Sequence, residues 1–71
     1  MQPDIEVAVG QRIAKLRKAK GITKEELCQT TGLNRTHVYR LETGQQSMTL
    51  KTLKIVADAL GVRVTQLLRG F

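Results

Sequence analysis

The stretch that decides the fold is residues 23–41, TKEELCQTTGLNRTHVYRL. Thr23 opens a capping box, because its hydroxyl can accept a hydrogen bond from the backbone N–H of Glu26, whose carboxylate can reach back. Asn34 is a second candidate for a helix N-cap, and Gly32 between them suits the left-handed conformation that commonly ends a helix. The stretch therefore predicts two short helices joined by a tight turn.

The same helix-boundary signals recur outward from this stretch. Thr49 is a further N-cap candidate, and a glycine follows each amphipathic run. An apolar residue precedes each of the three caps and can pack on another apolar residue four positions beyond the cap. These pairs are Ile22 with Leu27, Leu33 with Val38, and Met48 with Leu53. No alternating strand pattern occurs, so the predicted fold class is all-α. The expected helices span about residues 5–20, 24–31, 35–43, 50–60 and 64–69.

The predicted core is aliphatic, because Tyr39 and Phe71 are the only aromatic residues. Apolar residues recur at helical spacing in the first, fourth and fifth helices. The expected stripes are Val9, Ile13 and Leu16, then Leu50, Leu53, Ala57 and Leu60, and finally Val64, Leu67 and Leu68. Cys28 is expected as a small buried residue near the crossing of helices 2 and 3. The basic cluster of the first helix is expected to be a solvated face: Arg12, Lys15, Arg17, Lys18 and Lys20.

Length, charge and cysteine content limit the class of protein. The 71 residues allow one domain, residues 1–71, in which residues 1–5 are expected to form a flexible arm. The formal net charge of +6 and the isoelectric point near 10.1 favour an anionic partner such as nucleic acid. No apolar run reaches the ~18 residues of a transmembrane helix. Cys28 is the single cysteine and cannot form an internal disulfide, so a cytoplasmic protein is expected.

No catalytic site, metal site or cofactor is expected. His37 is the single histidine, and no cysteine or carboxylate accompanies it at ligand spacing. Glu42 lacks a partner acid or base, and the chain has no glycine-rich loop of the kind that cradles phosphates. The sequence therefore favours a binding protein over an enzyme, with no small-molecule effector evident.

Two helices joined by a three- or four-residue turn that contains glycine cross at a steep angle, which is helix-turn-helix geometry. In that geometry the N-terminal end of the second helix projects outward and enters the major groove of DNA. Arginine can donate two hydrogen bonds to guanine, and threonine can contact a thymine methyl group. The motif is expected over residues 24–43, and base contacts are predicted for Arg35, Thr36, Tyr39 and Arg40. Phosphate contacts are predicted for Arg12, Lys24, Gln29, Asn34, His37 and Gln46.

Most of the chain, residues 10–68, resembles the phage-repressor and Cro type of helix-turn-helix domain, the XRE family. The motifs that carry the resemblance are Gln11-Arg12-Ile13, Gly21-Ile22-Thr23-Lys24-Glu25-Glu26-Leu27, Gly32-Leu33, Leu41-Glu42, Gly44 and Leu60-Gly61-Val62. The runs Asn34-Arg35-Thr36-His37-Val38 and Met48-Thr49-Leu50 are similar to controller proteins of restriction–modification systems. Controllers tend to have tyrosine where His37 stands and often a basic residue where Gln46 stands. The resemblance implies a compact, five-helix, lambda-repressor-like fold, base contacts by Arg35 and Thr36, and a structural role for Glu42.

A homodimer is expected, because so small a domain is marginally stable and one recognition helix reads only a few base pairs. Ile55 lies off the core stripe of helix 4, and the predicted dimer contact comprises Ile55, Val62 and Phe71. The predicted function is sequence-specific binding of a palindromic double-stranded DNA operator by a homodimer that regulates transcription. Two alternatives remain open: an antitoxin that binds DNA together with a toxin, and a non-specific binder of nucleic acid or membrane driven by charge.

Overall fold

The computed structural model describes residues 4–71, which form five α-helices and no strand. The helices are α1 (Ile5–Ala19), α2 (Lys24–Thr31), α3 (Arg35–Thr43), α4 (Leu50–Leu60) and α5 (Val64–Leu68). The all-α fold class is confirmed, and α2, α3 and α4 begin and end where their caps predict. None of the helices within these residues is long and apolar enough to span a membrane.

The caps account for these boundaries. Thr23 and Glu26 form the predicted capping box, with the Thr23 N–H 3.0 Å from Glu26 Oε1 and the Glu26 N–H 3.1 Å from Thr23 Oγ1. Asn34 and Thr49 accept hydrogen bonds from the backbone N–H three residues on, as predicted. Asp4 caps α1 by accepting from the N–H two residues on, that of Glu6, at 2.8 Å. A side-chain acceptor thus satisfies one of the orphan N–H groups at the start of each of these helices.

The arm predicted for residues 1–5 requires correction at its inner end. Residues 1–3 lie outside the described part of the chain. Asp4 is the N-cap of α1 and Ile5 is its first residue, so these two positions belong to the helix. The reason is the Asp4 cap, since aspartate is among the strongest N-cap residues.

The core lies where α1 and α4 meet the other helices. Helix α1 packs on α3 and α5, and α4 packs on α2 and α5. The buried residues are Val9, Ile13, Leu27, Val38, Leu41, Leu53, Val56, Ala57, Leu60 and Leu67. Cys28 is partly buried and packs against this cluster, as do Ile22, Leu33 and Met48, the residues that precede the three caps. The aliphatic core predicted from helical spacing is therefore present.

The backbones of α1 and α3 approach closely at two glycines. Gly10 lies in the middle of α1, and a Cβ atom there would clash with the carbonyl oxygen of Leu41. Gly44 ends α3 with φ of +75°, and a Cβ there would lie 2.6 Å from the Cα of Val7. Gly10 is thus required for the distance between the helices, and Gly44 for both distance and conformation.

Burial differs most from the sequence prediction at two residues. Leu50, placed on the core stripe of α4, is 82% exposed. It is the first residue of α4 and lines an open groove rather than the closed core. Arg17, placed on the solvated face of α1, is 6% exposed. It follows Ile13 by four residues and therefore lies on the buried face of the same helix.

Candidate nucleic-acid interface

The N-terminal end of α3 is exposed, as the predicted motif requires. Asn34 caps the helix by accepting a hydrogen bond from the His37 N–H at 2.7 Å. The backbone N–H groups of Arg35 and Thr36 have no acceptor within residues 4–71. Unpaired N–H groups at a helix N-terminus, together with the helix dipole, favour a bound anion. This end of α3 can therefore receive a phosphate while it presents its side chains outward.

An open cleft of ≈ 470 Å³ runs from this helix end along the exposed face of α3. Its lining residues are Lys24, Arg35, Thr36, Tyr39, Arg40 and Gln45. The structure thus brings together all four predicted base-contacting residues and one predicted phosphate contact, Lys24. The Lys24 ammonium lies 5.6 Å from the centroid of the Tyr39 ring, within the range of a cation–π interaction. That contact connects the start of α2 with the middle of α3.

Three cationic side chains, those of Lys24, Arg35 and Arg40, line the cleft. The Arg40 side chain is in the last turn of α3, where a cation is favoured by the helix dipole. A concave surface lined by charges of one sign concentrates the field and attracts ligands of the opposite sign. The cleft therefore suits a polyanion that runs across the start of α2 and along the exposed face of α3.

An ion pair in this region was not predicted from the sequence. Glu25 Oε1 lies 3.0 Å from Arg35 Nη1, and the two side chains are 58% and 72% exposed. The pair joins the first turn of α2 to the first residue of α3. Gln45 lines the cleft together with the predicted residues, but the sequence did not predict it as a contact residue. It follows the glycine that ends α3, and no local pattern distinguishes it.

His37 and Gln46 form a second polar contact next to the cleft. The Gln46 side-chain amide lies 3.2 Å from His37 Nε2, within hydrogen-bond distance. Both residues are partly buried, and the contact ties α3 to the loop that precedes α4. Gln29 is exposed on α2. These three predicted phosphate contacts therefore lie outside the cleft lining, with His37 and Gln46 paired to each other.

Arg12 is not brought to the cleft. Its Nη1 donates to the carbonyl oxygens of Gln66, Leu67 and Arg69, at 3.3, 3.3 and 2.6 Å. Its guanidinium also lies 4.6 Å from the centroid of the Phe71 ring. Arg12 thus satisfies carbonyl groups at the C-terminal end of α5, where a helix leaves carbonyls unpaired. Arg12 therefore joins α1 to α5, a contact that local sequence does not reveal, and its phosphate contact stays a prediction.

The predicted dimer residues occupy different environments. Ile55 is partly buried on α4, and Val62 is partly buried and packs against the core. Phe71 is 53% exposed and stacks on Arg12.

A separate apolar groove of ≈ 380 Å³ opens between α1 and α4, with Ile5, Val9, Met48, Leu50, Leu53 and Leu68 among its lining residues. Leu50 and Ile5 are 82% and 50% exposed, so the groove presents large apolar side chains at the surface.

Comparison with known proteins identifies the family to which this fold belongs. The family model described as helix-turn-helix matches residues 13–67. An uncharacterised HTH-type transcriptional regulator, y4dJ of Sinorhizobium fredii, is 38% identical over 64 residues, which cover 90% of this chain and 83% of the regulator. The restriction-modification controller protein C.AhdI from Aeromonas hydrophila superposes with a TM-score of 0.83 at 38% identity, covering 86% of this chain and 92% of C.AhdI.

A third similar structure contains DNA. The tetramer of the controller protein C.Esp1396I, in complex with its natural 35-base-pair operator, superposes with a TM-score of 0.84 at 27% identity. The match covers 94% of this chain and 88% of that chain. Family model, relatives and fold agree with one another and with the helix-turn-helix expected at residues 24–43. The chain therefore belongs to the XRE-type helix-turn-helix family.

Proposed function

We propose that this protein is a transcriptional regulator, and not an enzyme, that acts in the cytoplasm. It binds a palindromic double-stranded operator as a homodimer, in the manner of restriction–modification controllers. One observation carries the proposal: Lys24, Arg35, Thr36, Tyr39 and Arg40 line a single open cleft along the exposed face of α3. These residue types can read base edges and bind phosphates, and the dipole of α3 has its positive end at the cleft.

The residues divide into two groups by the part of the DNA that they contact. Arg35, Thr36, Tyr39 and Arg40 on α3 contact base edges in the major groove. Phosphates are contacted from α2, from the cap of α3, from α3 itself and from the following loop, by Lys24, Gln29, Asn34, His37 and Gln46. Phosphate contacts fix register without reading sequence, whereas base contacts discriminate. Substituting a residue of the first group should therefore relax base preference, and substituting one of the second group should weaken all binding alike.

Salt dependence tests the proposed DNA binding directly. A dimer that neutralises roughly 4–8 phosphates gives a slope of about −4 to −7 when the logarithm of the binding constant is plotted against that of the salt concentration. Duplexes enriched by the protein from a randomised pool supply the operator probe, and a shuffled duplex of equal composition is the control. A slope near zero would exclude phosphates as the partner. Equal affinity for both duplexes would favour the non-specific alternative.

The homodimer is tested by sedimentation at micromolar concentration. The proposed contact uses Ile55, Val62 and Phe71 on the side of α4 and α5, which leaves α3 free. Ile55→Glu should give a monomer with a lower melting temperature and no tight operator binding. Leu50→Glu is the matched control, because it places the same charge on an exposed leucine of the same helix. Dissociation by Leu50→Glu alone would move the contact to the groove between α1 and α4.

A further inference from the structure

The ion pair between Glu25 and Arg35 places a carboxylate at a surface proposed to bind a polyanion. Glu25 Oε1 lies 3.0 Å from Arg35 Nη1. The charged side chains that line the adjacent cleft are all cationic. We propose, on the basis of the DNA-binding function above, that Glu25 determines specificity by positioning Arg35 and by weakening contact with random DNA.

Folding stability does not account for this pair. The Glu25 and Arg35 side chains are 58% and 72% exposed, and exposed ion pairs contribute little to stability because water and salt screen them. Glu25 and Arg35 lie in the first turns of α2 and α3. The short turn already holds these two helices together, so the ion pair adds little to their packing. The ion pair instead affects how the Arg35 guanidinium binds a ligand.

The pair leaves most of the guanidinium available. Arginine carries five N–H donors in a planar fork, and the contact with Glu25 is made by Nη1. The remaining donors can still form the two hydrogen bonds to a guanine edge. A flexible arginine loses rotamer freedom when it binds, and a side chain already held by a partner loses less. Glu25 therefore lowers the entropic cost of the base contact that Arg35 makes.

On random DNA the same carboxylate is unfavourable. Without a guanine in register, Arg35 would gain by turning to a phosphate, and the pair with Glu25 opposes that movement. Repulsion between the carboxylate and phosphates acts equally on both duplexes and does not change their ratio. The cost of Glu25 falls more heavily on random DNA because only there does the pair with Glu25 oppose a better contact for Arg35. Interactions that penalise the wrong ligand raise specificity as effectively as those that favour the right one.

Glu25→Gln tests the proposal by titration of two duplexes: one enriched by the wild-type protein from a randomised pool, and a shuffled duplex of equal composition. The variant should raise affinity for the shuffled duplex by roughly two- to fivefold and lower the ratio of operator to shuffled affinity by a similar factor. Base preference at the position read by Arg35 should broaden. In an Arg35→Ala background, Glu25→Gln should no longer change that preference.

Asp58→Asn is the matched control, because Asp58 also forms an exposed ion pair, with Lys54 at 2.8 Å, but Lys54 does not line the cleft as Arg35 does. It removes the same charge and should leave the affinity ratio unchanged. If Glu25→Gln shifts both duplexes equally, as a distant charge would, the proposal is overturned while specific DNA binding stands. If the wild type shows neither salt-dependent binding nor preference for the enriched duplex, the DNA-binding function fails and this proposal fails with it.

Discussion

Among residues 4–71, two arginine–glutamate pairs connect helices, and they differ in burial and in the number of hydrogen bonds. Arg17 and Glu42 join α1 to α3, with side chains 7% and 6% exposed. Arg17 Nε and Nη2 donate to the Glu42 carboxylate at 2.7 and 3.3 Å, and Nη1 donates to the Ile22 carbonyl at 2.9 Å. Arg35 and Glu25 make one contact of 3.0 Å at the surface. Burial fixes the first pair, whereas exposure leaves the second free to exchange partners.

The two pairs differ in whether all of their hydrogen-bonding groups are used within the fold. A buried charge is tolerated only when it is paired and hydrogen-bonded, and every polar contact of the Arg17–Glu42 pair is made within the fold. The expectation that Glu42 is a structural acid is confirmed by this pair. The exposed pair retains unused donors on Arg35, which a ligand can engage. The same two residue types therefore stabilise the domain in one place and present a binding group in another.

Breaking the buried pair should have the largest effect. Glu42→Gln leaves the Arg17 charge buried without a counter-charge, which costs about 3–5 kcal/mol in the free energy of unfolding. Small domains have only about 5–15 kcal/mol in total, so much of the stability is lost. Urea denaturation followed by circular dichroism measures the change.

The double variant Arg17→Met/Glu42→Leu is the control for the buried pair. Apolar replacement of both partners removes the buried charges together and is often neutral or stabilising. The double variant should therefore retain more stability than Glu42→Gln alone. A loss below about 1 kcal/mol for Glu42→Gln would show that this pair behaves like an exposed one.

Removing the exposed arginine should affect binding and leave folding almost unchanged. Arg35→Ala should cost about 1–3 kcal/mol in operator binding and relax preference at one base pair. Its free energy of unfolding should change by less than about 0.5 kcal/mol. Titration calorimetry and urea denaturation give the two values. An equal loss of affinity on operator and shuffled DNA would instead make Arg35 a phosphate contact.

A third ion pair is as exposed as the Glu25–Arg35 pair but lies within one helix. Lys54 and Asp58 are four residues apart on α4 and 67% and 59% exposed. Asp58→Asn should lower the free energy of unfolding by about 0.3–0.5 kcal/mol, and high salt should remove that difference. A loss as large as that of Glu42→Gln would show that burial does not govern these pairs.

The smallest effect concerns Glu26, a carboxylate paired with backbone and hydroxyl groups. Hydrogen bonds from the Thr23 N–H and from the Thr23 side chain lower the pKa of Glu26. A lowered pKa in the folded state adds stability above the unfolded pKa, and that stability is lost as pH falls through the folded value. The difference in melting temperature between wild type and Glu26→Ala should therefore shrink below about pH 4. A difference that grows on acidification would contradict the capping role.

The sequence predicted the helices and their ends, because those depend on contacts within a few residues. Thr23, Asn34 and Thr49 each accept from the N–H three positions on, and Gly32, Gly44 and Gly61 adopt positive φ where the helices end. Helical spacing likewise identified most of the core. The outward face of α3 followed from the same spacing, since Val38 and Leu41 are buried while Arg35 and Tyr39 are exposed.

Tertiary packing decided the roles of the charged residues that contact another helix. Arg12 and Arg17 belong to one basic cluster in the sequence, yet one caps α5 and the other is buried against Glu42, 25 residues away. Glu25 and Arg35 meet only because the turn brings the starts of α2 and α3 together. Leu50 fits the apolar stripe of α4 but lies at the surface. Caps and stripes are properties of one helix, whereas burial and ion pairing depend on which helix lies opposite.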